Sequence, residues 1–172
     1  MILRPELHAL LVDWITNRPI FYPTRFTGTF PDGFRPTHLK CYATTKKVYE
    51  HFGYPIIAGI ALLDKDDKLY PWPHMVNATG SHLKAGLVDA SPVPDQPNLG
   101  FVPIRVNETL AWNEITTAYL SASRAAQFGP RWGCNWADDL TDRFFDILRS
   151  RAASASWSAS AVAVPPTIPE IA

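Results

Sequence analysis

At 172 residues, with 47% hydrophobic and 19% charged positions, the chain has material for one well-cored domain and an appendage. Its 16 Lys+Arg balance 16 Asp+Glu, which argues against a nucleic-acid partner or an anionic membrane surface as the organising interaction. No apolar run approaches the roughly 18 residues of a membrane span, so no membrane partner is expected.

The N-terminal stretch "MILRPELHALLVDWITNRP" lacks a basic segment followed by an unbroken apolar core, so no signal peptide is expected. Leu7, Leu10, Leu11, Trp14 and Ile15 recur at helical spacing and predict an amphipathic helix ending near Pro19. "IFYPTRFTGTFPDGFRP" has no clear period and reads as an ordered loop that turns its aromatics inward. Thr37 is placed to cap a helix running to about Phe52, with Gly53 suited to a left-handed C-terminal cap. Cys41, Thr44, Thr45, Val48, Tyr49 and Phe52 share one side of that helix, expected to face the core.

The period then changes. "YPIIAGIALL" predicts a buried strand and "DKDD" a hairpin turn. "KLYPW" and "HMVNA" predict one strand interrupted at Pro73, "TGSHLKAG" a turn, and "LVDAS" another strand. An antiparallel sheet of at least three strands should therefore pack on the cysteine helix. "SPVPDQPNLGFVP" reads as a proline-dense connector, and "NETLAWNEITTAYLSASRAAQ" as a helix. "FGPRWGCNW" reads as a loop. "ADDLTDRFFDILRSRAA" predicts an amphipathic helix with Leu140, Phe144, Ile147 and Leu148 on one stripe. A single α+β domain over 1–151 is expected, followed by a low-complexity extended arm over 152–172 that could lie along a protein partner.

Chemistry concentrates in the middle of the chain. Cys41 falls in the first turn of its helix, where unsatisfied N–H groups and the helix dipole favour an anion, and a thiolate is the reactive form of cysteine. His74 opens "HMVNA" and Asp89 lies in "LVDAS". Two antiparallel strands joined by a short turn can set those residues side by side. His74 would then take the thiol proton while Asp89 fixes the ring's tautomer, and the backbone N–H of Cys41 would supply one oxyanion donor.

"CYATTKKVYEHFGYPIIAGIAL", "HMVNATG" and "VDASP" together resemble the papain-like superfamily in its transglutaminase-like branch, over roughly residues 37–92. The resemblance implies Cys41 as nucleophile, His74 as general base and Asp89 as orienting acid. It further implies a papain- or transglutaminase-like α+β fold and a peptide or other acyl substrate.

Other readings compete. Cys41 could be a small core residue, and Asp89 could serve only an Asx-type turn before Ser91. His82 is a rival base in an exposed turn. His38 could cap the cysteine helix or approach the thiol, and His51 suits a helix C-terminus. Cys134 also precedes a helix but is expected to be buried beside Trp132 and Trp136. Cys41, His74, His82 and Cys134 include no close ligand pair, so neither a metal nor any other cofactor is expected. Asp64, Asp66 and Asp67 lack the Gly and Glu of a calcium loop. Phosphate-cradling Gly motifs and a nucleophile elbow are absent, and the tryptophans are expected mostly in the core. Two cysteines make no disulfide scaffold, which suits a reducing, cytoplasmic setting. The function expected is a small thiol hydrolase or acyltransferase, thiol-protease-like in chemistry. The alternative is a non-catalytic component of a larger assembly, such as a virus-like particle or secretion machine, docked through its C-terminal arm.

Overall fold

A computed structural model describes residues 3–36, 40–65, 68–79, 86–91 and 98–127. The elements run α1 (Pro5–Asn17), β1 (Thr24–Arg25), α2 (Cys41–Phe52), β2 (Ile56–Lys65), β3 (Lys68–Thr79), β4 (Gly86–Asp89), β5 (Asn98–Pro103), a 3₁₀ turn (Val106–Glu108) and α3 (Thr109–Gln127). The class is α+β: among the described residues there are three α-helices and one curled five-stranded sheet of order β1-β4-β3-β2-β5. The expected second C-terminal helix, Cys134, His38, His82 and the 152–172 arm lie outside the described residues.

Apolar spacing accounts for the core. Leu7, Leu11, Trp14 and Ile15 of α1 are buried as their spacing demands. They meet Ala58, Ile60 and Leu62 of β2, Met75, Val102 and the α3 residues Trp112, Ile115 and Tyr119. Each such large side chain contributes about 1.5–3 kcal/mol on full burial. A second cluster gathers Ile57, Val76, Ala78, Leu87 and Phe101, with Phe21 against it.

The β2–β3 hairpin is the backbone of the sheet, pairing Ile56 with Asn77 at one end and Lys65 with Lys68 at the other. Contrary to expectation, β3 runs unbroken through Pro71 and Pro73, which pair with Leu62 and Ile60. Proline has no amide hydrogen, so it is tolerated in a ladder only where that hydrogen would point off the edge. Among the described residues, the paired register of β4 on β3 spans only Asn77 to Thr79, and on that side no strand pairs with β3 beside the two prolines.

The sheet is also larger and less regular than predicted. β5 occupies the end of the expected connector and pairs with β2, with a register irregularity at Leu62/Leu63. Gly100 takes φ 137, and a Cβ there would collide with Ile20, so this strand shows no alternating pattern to read. β1 lies in the expected loop and pairs parallel to β4.

The rest of that loop wraps the C-terminal end of α2. The Phe26 ring meets Phe52 edge-on at 5.1 Å, and Phe30 meets Phe34 at 5.2 Å. Lys47 donates to Asp32 at 2.9 Å, and the His51 ring nitrogen lies 3.3 Å from the same carboxylate oxygen. The Lys47 hydrogen bond, then that from the Phe34 amide, holds the Asp32 carboxyl well below the usual carboxylate range.

Candidate active site

Helix α2 starts at Cys41, one residue after an N-cap Lys40 that makes no side-chain cap hydrogen bond. Thr37 is therefore not the cap; it lies outside the described residues and too early for the role. Because Cys41 is the first helical residue, its N–H and those of Tyr42 and Ala43 have no acceptor within the helix. Gly53 ends α2 in the left-handed conformation, with its N–H bonded to Tyr49 O. Thr44, Thr45 and Val48 are buried along the predicted stripe. Tyr49 is not: at 54% exposed, it sits roughly 80° around the helix from Cys41, at the stripe's margin. Cys41 itself is a half-buried free thiol packed beside the main core.

His74 and Asp89 come together through strand register. Ala78 faces Leu87 and Asn77 faces Val88, so the continuation sets Val76 against Asp89, and His74 follows two residues along on the same side. His74 Nε2 lies 2.7 Å from Asp89 Oδ2, and both residues are buried. The other oxygen of Asp89 accepts the Ser91 N–H at 2.8 Å. The Asx-type turn and the histidine contact thus coexist, one on each oxygen, and the turn aims the carboxylate.

The Cys41 side chain lies close enough to act on the same ring. With Nε2 engaged by Asp89, Nδ1 is the nitrogen left for the sulfur. Burial alone would drive the imidazole toward neutrality. Hydrogen bonds and charge attraction from Asp89 and Cys41 outweigh it and raise the His74 pKa to about 10. That direction favours the imidazolium, with Nε2–H held by Asp89.

The strand opposite the histidine is closely packed. Gly59 stands opposite His74 in the β2–β3 register, and a Cβ on it would fall 2.5 Å from the Phe101 ring and still closer to Val102 O. Trp112 Nε1–H donates to Gly59 O at 2.8 Å and pins this part of β2 to α3.

All three residues singled out by the sequence therefore meet at one place. Sequence reasoning missed Gly59 and Asn77, whose only signal was an unexplained small and an unexplained polar residue within otherwise apolar strands. Among the described residues, no helix is long and apolar enough to cross a membrane. Compared with family models, curated proteins and solved structures, the chain gives no match.

Proposed function

We propose that the protein is a thiol hydrolase or acyltransferase acting on an amide or related acyl bond, of the papain- or transglutaminase-like kind its motifs resemble. The observation that carries the reading is the buried Asp89–His74 hydrogen bond at 2.7 Å, with the Cys41 side chain beside the same ring. The α+β sheet with a thiol at the first turn of a packed helix is in keeping with it.

The reactive form of a cysteine is its thiolate, and His74 stands beside the sulfur to hold the proton. The thiolate attacks the acyl carbon, and the N–H groups opening α2 face the oxyanion that develops. As the tetrahedral intermediate collapses, the C–N bond breaks and His74 gives its proton to the departing amine, leaving a Cys41 thioester. A water or a second amine then attacks the thioester, and its proton passes to neutral His74. The sulfur leaves as thiolate and the pair is restored. Asp89 compensates the imidazolium and holds its ring plane throughout. His74 thus serves as the acid of the first half-reaction and the base of the second.

The test is acyl capture. Incubation with small p-nitrophenyl esters should place one hydroxylamine-sensitive acyl group on Cys41, located by peptide mass spectrometry, and His74→Ala should abolish it. Acylation that ignores His74, or that spares Cys41, would contradict the reading.

A further inference from the structure

The proposed pair is divided between two elements, a sheet and a helix laid on it. His74 and Asp89 belong to adjacent strands of one sheet and bond directly just past the end of the β3–β4 ladder. Cys41 belongs to a helix laid on that sheet, and its N-cap residue makes no side-chain cap bond. Apolar packing holds a helix close to a sheet but is not directional. A sulfur–imidazole hydrogen bond requires its atoms within fractions of an ångström, and misplacement by about 1 Å costs on the order of 100-fold in such a site.

Asn77 supplies the missing directional link. It lies three residues beyond His74 on β3 and has no solvent exposure. Its amide donates to Thr45 O of α2 at 3.0 Å and to Tyr54 O, in the segment entering β2, at 2.9 Å. The next residue adds a backbone bond from Ala78 N to Pro55 O at 2.9 Å. Thr45, one helical turn past the thiol, completes the line by donating its hydroxyl to Cys41 O at 2.8 Å and Tyr42 O at 3.0 Å. A continuous hydrogen-bonded path therefore runs from the histidine strand to the backbone of the cysteine.

The path is costly to keep for stability alone. Asn77 Oδ1 is buried without a partner among the described residues, and an unsatisfied polar atom in a core is unfavourable. Leucine, with the same branching and the same number of side-chain heavy atoms, would remove that orphan but would leave the Thr45 and Tyr54 carbonyls without this donor. An amide at this position is better matched to fixing a register than to filling space.

We infer that Asn77, acting through Thr45, is a positioning residue that sets the first turn of α2 so that Cys41 meets His74. The inference rests on the Cys41–His74 reading above.

Its test compares Asn77→Leu, Thr45→Val, His74→Ala and the Asn77→Leu/His74→Ala double variant, by iodoacetamide labelling of Cys41 at about pH 6.5 and by thiolate ultraviolet absorbance. Thr45→Val keeps the helix's own backbone bonds, so it reports even where the Asn77 variant fails to fold. The expected result is about tenfold slower labelling in each folded single variant, a weaker thiolate band, and no further slowing when Asn77→Leu is added to His74→Ala. Faster labelling in Asn77→Leu, persisting without His74, would show a merely loosened core and overturn the inference. Unchanged labelling in both Asn77→Leu and Thr45→Val, while His74→Ala slows it, would also overturn the inference and leave the pair intact. Unchanged labelling in His74→Ala would instead sink the pair itself.

Discussion

His74 and Asp89 form a buried hydrogen bond of 2.7 Å between neighbouring strands, and the carboxylate that makes it is aimed by its second oxygen on the Ser91 N–H. A side chain that could be read as turn-former or as histidine partner makes both contacts, one with each oxygen. The turn restricts the carboxylate so that the histidine meets an oxygen already in place.

Replacing Asp89 by Asn separates those two roles. The amide oxygen can still accept from Ser91 N–H, so the turn persists, but the imidazolium loses its counter-charge. We expect Asp89→Asn to destabilise the fold by about 2 kcal/mol and to slow Cys41 alkylation. Urea unfolding with parallel labelling reports both effects. Unchanged stability and unchanged labelling would assign Asp89 to the turn alone.

The stability of the protein should depend on pH through His74. Its folded pKa of about 10 lies above the ordinary histidine value of about 6.5, so the folded state binds the proton more tightly than the unfolded chain. The resulting stabilisation is fully present below about pH 6.5 and is lost as pH rises through about 10. Melting temperatures of wild type and His74→Gln should therefore differ most near pH 6 and converge toward about pH 10. A gap that widens with rising pH would contradict the imidazolium assignment.

Gly59 is required by close approach, not by backbone conformation. A methyl group there would meet the Phe101 ring at 2.5 Å and the Val102 carbonyl, and the strand paired on that side cannot yield without loosening β5. Gly59→Ala should cost about 3 kcal/mol in urea unfolding. A cost within experimental error would mean that β5 shifts freely.

The loop over α2 makes a contrasting prediction. Asp32 is exposed and joined to Lys47 and His51 at the surface, where ion pairs contribute little. Asp32→Asn should shift stability by no more than about 0.5 kcal/mol, while Phe52→Ala, which removes the ring that Phe26 packs against, should cost about 3 kcal/mol. Calorimetry of the two variants tests that ranking.

Much of this was legible in the chain. α1 announced itself through Leu7, Leu11, Trp14 and Ile15, and β2 and β4 through short apolar runs. The meeting of His74 and Asp89 was legible because two antiparallel strands joined by a short turn set such residues side by side. The irregular strands were not: β5 is bulged and opens on a glycine-strained segment, β1 is two residues long, and the unbroken β3 depended on which edge its prolines faced. Tyr49 stood on the predicted inner stripe but projects outward, since a periodic pattern gives the centre of a face better than its margin. Asn77 looked like any polar residue in a strand until its two acceptors were known.

The most direct measurement is the rate of iodoacetamide labelling of Cys41 at about pH 6.5, in wild type and in His74→Ala, read by peptide mass spectrometry. A Cys41–His74 pair predicts fast labelling in wild type and labelling slower by about tenfold or more without the imidazole. Equal rates in the two proteins, or a wild-type Cys41 that labels no faster than a free thiol, would contradict it and make Cys41 a structural residue.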